Sequence, residues 1–170
     1  HKGYDVNDVV RAGLANKNTH GLYRDRFHGR IIFPIANAVG KVVAFTGRLL
    51  EGAPGNFPDA PKYLNSPETQ IFNKSKILYG FNKTKNAIAE TRSAMLVEGQ
   101  MDFLAVWQAG AKNVVAVSGT ALTRDHLEKL RRLADTIIIS FDNDSAGLKA
   151  LERSLEVLNP FDFHVKVISF

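Results

Sequence analysis

The 170-residue chain has no cysteine. That excludes disulfides, cysteine-rich zinc sites and cysteine nucleophiles, and it fits a reducing compartment. No apolar run approaches the ~20 residues that span a bilayer, and no charged-then-apolar signal segment opens the chain. The expectation is a soluble, cytoplasmic protein with no membrane partner. Internal repeats, heptad arrays and low-complexity tracts are also absent. The hydrophobic content of 45% is ordinary for a globular protein, and the length allows one large domain or two small ones. The first residue is His1 rather than an initiator Met, which suggests a piece of a longer polypeptide.

Charge is present but unevenly spread. Residues 1–90 hold thirteen Lys and Arg against seven Asp and Glu, whereas residues 91–170 hold nine against ten. A basic half joined to a half with an acidic cluster suggests a polyanion gripped by one and processed by the other. A solvated basic surface is the plainer alternative.

In the first half, apolar residues at Val6, Val9, Val10 and Leu14 follow the cap Asp5 at helical spacing, which predicts a short amphipathic helix. Residues 16–23 are polar, contain a Gly, and read as loop. Residues 31–35 and 41–46 read as strands joined through a hairpin at 36–40, with Pro34 placing the first at an edge or its end. Arg24, Arg26, Arg30 and Arg48 then cluster around the hairpin ends. Their planar guanidinium groups suit phosphate, or they are ordinary surface arginines paired with Asp25 or Glu51. Residues 50–61, rich in Gly and Pro, predict the most mobile loop of the chain. After it, residues 61–69 mix a cation, an aromatic ring and side-chain donors, a composition able to touch a nucleic-acid strand. Thr84 is the expected cap of a helix running to about Arg92, with Ala87 and Ile88 inward.

The second half alternates strand and helix signals: strands at 94–97, 113–117, 136–141 and 163–168, and helices at 101–109, 124–133 and 145–158. Thr123 caps the second helix and Asn159-Pro160 stops the third. Such βα alternation implies an α/β fold whose strands run parallel and whose helices cover the sheet. Two of the strands end in acids: Val97-Glu98-Gly99 with Asp102 four positions after Glu98, and Phe141-Asp142-Asn143-Asp144 followed by Ala146-Gly147. Ligands of open parallel sheets collect at the carboxyl ends of strands. If these strands are neighbours, Glu98, Asp102, Asp142 and Asp144 converge on one rim, and so much like charge calls for a divalent cation. A lone carboxylate after a strand is more often a helix cap. His28, His126 and His164 are scattered without ligand spacing.

The Glu-Gly-x-x-Asp element followed about forty positions later by Asp-x-Asp-x-Ala-Gly resembles the Toprim signature of primases, topoisomerases and some nucleases. The first half extends the resemblance. Asp25-Arg26-Phe27, the 31–35 strand, Gly47-Arg48, the run from Pro61 to Thr69, Ile71-Phe72-Asn73-Lys74 and Leu78-Tyr79-Gly80 are similar, in order, to the bacterial DnaG-type primase catalytic core. The resemblance implies an α/β fold with a Toprim-type, mostly parallel sheet flanked by helices over 91–170, preceded by a smaller mixed α+β basic subdomain over 1–90. It implies a DNA-dependent RNA polymerase that makes short primers on single-stranded DNA from ribonucleoside triphosphates. Glu98, Asp142 and Asp144 would then be catalytic metal ligands for Mg²⁺ or Mn²⁺, more than one ion being expected, with Asp102 supporting or joining them. Arg26, Arg48, Lys62, Asn65 and Lys74 would bind template or nucleotide. The family's zinc module, its helicase-binding module and a further Asp-Pro-Asp motif would lie outside this chain, so the chain alone would make little or no primer. Localisation would be cytoplasmic, at replication forks. Gln100, where the family usually has Tyr, and Asn143, where it has Gly, imply altered packing or polarity near the metals; His20 to Tyr23 and Asn73 differ mildly. The alternatives are a Toprim nuclease or topoisomerase-like enzyme, or a nucleic-acid-binding module whose acidic rim is structural.

Overall fold

The computed structural model of the chain describes residues 3–52 and 60–168. The chain divides by packing into two compact units, His1–Ile35 with Val42–Phe72, and Ala36–Lys41 with Asn73–Phe170. The predicted loop at 50–61 falls largely on 53–59, outside the described residues.

The first unit begins with helix α1 (Val6–Arg11), whose first turn is capped by the Asp5 side chain accepting from Asn7 N–H at 2.7 Å. The helix is shorter than its apolar spacing predicts, because Gly13 turns the backbone to φ +69° before Leu14. Where sequence reads only loop, strands β1 (Ala15–Lys17) and β2 (Tyr23–Asp25) pair antiparallel. Strands β3 (Arg30–Ala36), β4 (Val42–Leu49) and β5 (Tyr63–Asn65) form a three-stranded sheet in the order β3-β4-β5.

The second unit contains helix α2 (Phe81–Thr91), strand β6 (Ser93–Val97), helix α3 (Gln100–Gln108), strand β7 (Val114–Ala116), helix α4 (Arg124–Leu130), strand β8 (Thr136–Ile139), helix α5 (Ser145–Leu158) and strand β9 (His164–Val167). Its four strands are all parallel, in the order β7-β6-β8-β9. Side chains alternate between the faces of a strand, and the core divides accordingly. Ala94, Leu96, Val115, Val117, Ile137 and Ile139 pack with Ile88, Leu127, Leu130 and Leu158 of α2, α4 and α5. Val97, Val114 and Ala116 pack on the other face against Phe103, Val106 and Trp107 of α3. Ile88 packs α2 into this unit, and the packing division, which also gives Ala36–Lys41 to this unit, is drawn on different grounds from the 90/91 division read from charge and motifs.

Thr84 does not cap α2. The cap lies four residues earlier, at Gly80, whose φ of +81° suits glycine and where a Cβ would lie 2.1 Å from the Phe103 ring. Thr84 is instead buried inside the second turn, and its hydroxyl has no hydrogen-bond partner among the described residues.

Thr123 caps α4 as expected, its Oγ1 accepting from His126 N–H at 3.2 Å. His126 is fully buried. Its Nδ1 accepts from Thr123 N–H and its Nε2 faces Lys74 O, both at 3.3 Å, a pairing that places the proton on Nε2. Burial pushes the imidazole down to about 4, against hydrogen bonds to the carbonyls of Lys74 and Ile77 that oppose the shift. Between the ordinary value of about 6.5 and this one, the unfolded chain binds a proton that the folded chain does not, so stability falls as pH drops through that window. Urea unfolding at pH 7 and pH 4.5 is expected to show a loss on the order of 2 kcal/mol from this group, and His126→Gln should remove that part of the pH dependence.

Candidate active site

Strands β6 and β8 are neighbours in register, Leu96 opposite Ile139, and their carboxyl ends face the same way. Helices α3 and α5 leave these ends for opposite faces of the sheet, which makes the β6/β8 boundary a topological switch point, where open α/β sheets take their ligands. Beyond the last paired residues, Ser140 N–H still donates to Leu96 O at 2.9 Å. One step further a side chain takes over, and Asp142 N–H donates to Glu98 Oε1 at 3.0 Å. The two predicted acidic ends are thereby tied together.

The other two acids are held by helix starts. Asp102 Oδ2 accepts from Gly99 N–H at 2.8 Å, and Asp144 Oδ1 accepts from Ala146 and Gly147 N–H at 2.9 and 2.8 Å. Each bond satisfies amide groups that the first helical turn leaves without partners. Glu98 and Asp102 are half-buried, whereas Asp142, Asn143 and Asp144 lie at the surface. Among the described residues none of the four carboxylates is ion-paired with a Lys, Arg or His. Burial raises the Glu98 carboxyl above its ordinary range, and repulsion from Asp142, Asp102 and Asp144 adds to this, while the Asp142 N–H works the other way.

The convergence is one of position rather than of a finished ligand cage. Among the described residues no three His, Asp or Glu side chains form a set that would hold a metal ion. The reason is local, because Asp102 and Asp144 each turn an oxygen toward a helix N-terminus. The residues nonetheless fit Mg²⁺ or Mn²⁺ chemistry, since the donors are hard carboxylate oxygens without a cationic partner and Mg²⁺ keeps several waters beside one or two carboxylates.

Two residues that sequence reading gives no site role support the rim. Ser118, after β7, adopts φ +60° and donates its N–H to Glu98 O at 2.8 Å. Gly147, in the first turn of α5, lets Asp142 come close: a Cβ there would sit 1.9 Å from Asp142 O and 3.0 Å from Glu98 Oε1. Gly147 is visible in sequence as the last residue of the Asp-x-Asp-x-Ala-Gly element, whereas Ser118 has only the small-residue composition common in loops.

Of the five residues expected to bind template or nucleotide, Arg26, Arg48, Lys62 and Asn65 belong to the first unit. Arg48 pairs across β4 and β5 with Tyr63, and Thr46 with Asn65, so all four share one face of the sheet. Thr46 Oγ1 donates to Asn65 Oδ1. Arg26 donates through Nη2 to Asn65 O at 3.1 Å and through Nη1 to Asn16 Oδ1 at 3.3 Å, while its buried Nε has no partner among the described residues. Lys62 lies exposed beside Tyr63. Arg30, from the arginine cluster, instead ties backbone together, its Nη1 donating to Gly47 O and Pro61 O at 3.1 and 2.8 Å. Lys74 lies in the second unit, half-buried in a single 3₁₀ turn (Lys74–Lys76).

Acids at the carboxyl ends of adjacent parallel strands, at a switch point, define an α/β domain with its acidic rim at the edge where open parallel sheets take their ligands. Residues 95–170 match the Toprim-like family, and residues 1–85 match the family described as DNA primase catalytic core, N-terminal domain. The chain belongs to the bacterial DnaG-type primase catalytic-core family, and its mixed α/β architecture is that of the family's cores. It is 46% identical over 164 residues to a DNA primase of Halalkalibacterium halodurans, covering 94% of this chain and 26% of the relative. It thus spans about a quarter of that protein's length. A DNA primase domain from Pseudomonas aeruginosa superposes with a TM-score of 0.87 at 38% identity, covering 99% of this chain and 53% of that one. A DnaG primase catalytic domain bound to single-stranded DNA superposes with a TM-score of 0.85 at 37% identity, covering 99% and 54%.

Replacing Gly147 by Ala tests the close approach by its sign. Ala in a helix normally stabilises by about 1 kcal/mol relative to Gly. Here the Cβ meets backbone that cannot move aside, so Gly147→Ala is expected to destabilise by about 1–3 kcal/mol in denaturant unfolding.

Proposed function

We propose that the chain is part of the catalytic core of a primase: a DNA-dependent RNA polymerase that joins ribonucleotides on single-stranded DNA by metal-dependent nucleotidyl transfer. The observation that carries this reading is the uncompensated acidic rim at the β6/β8 switch point, in a chain whose first half matches the primase N-terminal core. The relative bound to single-stranded DNA supports a template of that kind.

Glu98, Asp142 and Asp144 would hold Mg²⁺ or Mn²⁺ ions, and Asp102, which fixes the turn between Glu98 and α3, would support or join them. A cation held there would lower the pKa of a primer-end hydroxyl and neutralise charge on the attacked α-phosphate. The Asp142 N–H fixes the Glu98 carboxylate in place, and the caps hold Asp102 and Asp144 before any nucleotide arrives, so little reorganisation accompanies binding. Arg48 and Lys62 supply charge to template or triphosphate oxygens. Arg26, whose Nη2 donates to Asn65 O, and Asn65 itself would add donors to the same strand or nucleotide, and Lys74 a further cation. Zinc has no cysteine ligands in this chain. Contact with a replicative helicase belongs to a module beyond it, and the work is done in the cytoplasm at replication forks. No helix among the described residues is long and apolar enough to cross a membrane.

The test is primer synthesis by the full-length protein on single-stranded DNA with labelled ribonucleotides. Asp142→Ala and Glu98→Gln should abolish product, and both should lessen the rise in melting temperature that Mn²⁺ produces in the wild type. Lys62→Ala and Arg48→Ala should weaken single-strand binding and lower its salt slope by about 0.7 for each phosphate that is no longer neutralised. Normal synthesis by Asp142→Ala would overturn the assigned site.

A further inference from the structure

The residue after Glu98-Gly99 is Gln100, the first residue of α3, and its side chain is buried to 5% exposure. A primary amide in that position carries two donors and an acceptor and is costly to bury without a partner. Its partner is Ser118, eighteen positions on: Gln100 Nε2 donates to Ser118 Oγ. Ser118 is one of only two non-glycine residues among those described with a positive φ, at +60°. Left-handed backbone at a serine persists only when the surroundings hold it. Here the surroundings are the Gln100 amide on its side chain and Glu98 on its backbone, since Ser118 N–H donates to Glu98 O at 2.8 Å.

The three residues form a closed circuit. Glu98 leads through Gly99 to Gln100 along the chain, Gln100 reaches Ser118 by its side chain, and Ser118 returns to Glu98 by its backbone. The Glu98 backbone is therefore gripped from the β7 side, while its carboxylate is gripped from the β8 side by Asp142 N–H at 3.0 Å. With the Gln100 link cut, Ser118 would be free to leave its left-handed conformation, and the Glu98 carbonyl would lose its tie to the segment after β7.

We propose that Gln100 is a positioning residue for the metal rim: by holding Ser118 in its left-handed conformation it fixes the backbone of Glu98, and so the direction in which the Glu98 carboxylate meets a cation. The inference rests on Glu98 being a metal ligand. Groups that orient a ligand in this way typically contribute 10- to 100-fold to metal affinity or activity. The link is a property of this chain's own pair, Gln100 with Ser118, because a side chain lacking an amide at position 100 would need a different partner.

The test uses the full-length protein with Gln100→Met, which keeps the volume and removes the hydrogen bonds, Ser118→Ala, which removes the same bond without touching α3, the double variant, and Glu98→Gln as reference. Hydrogen exchange at the Ser118 amide reads the circuit without metal; Mn²⁺ affinity, from paramagnetic resonance of the free ion, reads the consequence; melting temperature reports folding. The expected result is faster Ser118 exchange and roughly tenfold weaker Mn²⁺ binding in each single variant, and no further loss in the double. In the activity assay kcat should fall more than KM for nucleotide rises. Mn²⁺ affinity unchanged in Gln100→Met and Ser118→Ala while Glu98→Gln weakens it would overturn the inference and leave the metal site standing. Unchanged affinity in Glu98→Gln as well would overturn the metal reading, and the inference with it. If Gln100→Met does not fold, Ser118→Ala decides alone.

Discussion

One hydrogen bond holds the acidic rim of this molecule in register. The ladder between β6 and β8 ends with Ser140 N–H on Leu96 O, and the next link is Asp142 N–H on the Glu98 carboxylate. A side chain here continues what the backbone began. Two strand ends that would otherwise diverge are kept close, and two acids are kept on the same rim against their mutual repulsion. The rest of the site answers to this constraint: Gly147 gives room for Asp142 to approach, Ser118 steadies the Glu98 carbonyl, and both helices begin on acids already in place. A charge-assisted bond to a carboxylate is stronger than its neutral counterpart, which helps a half-buried Glu98 to remain beside three other acids.

The arrangement also explains why the rim is not a ready-made cage. Asp102 and Asp144 satisfy helix N-termini, and each has one oxygen turned inward for that purpose. Such a rim suits an ion that retains much of its water and completes its shell with substrate oxygens. A tight all-protein cage would hold the ion and compete with the phosphates for its coordination sites.

Much of the second unit is legible in the sequence because its elements obey strong periodicities. Buried parallel strands appear as runs of Val, Ile and Leu, and the acids that end them stand out by contrast. Positions 98, 102, 142 and 144 are legible for that reason. The β1–β2 pair is not: most of its residues are exposed and polar, so burial imposes no pattern on them. Thr84 misleads because a threonine before an apolar turn has the composition of a cap, yet the tertiary fit of Gly80 against Phe103 starts the helix earlier and buries the hydroxyl. Arg30 and Arg48 look alike in sequence, and only the fold shows that the first is occupied with carbonyls. The Gln100–Ser118 link joins residues far apart in the chain, and no local pattern announces it.

The double duty proposed for Asp102 and Asp144, as cap and as cation ligand or its support, bears on how this family can change over generations. A cap needs only an oxygen that accepts from amide N–H groups, and Asn or Ser can provide one nearly as well as Asp. A cation site needs the negative charge. A single-base drift from Asp to Asn at either position would thus leave the helix, the sheet and the overall shape intact while removing the attraction for metal. Descendants of this fold can fall silent without unfolding, and shape alone will not tell a working centre from a retired one.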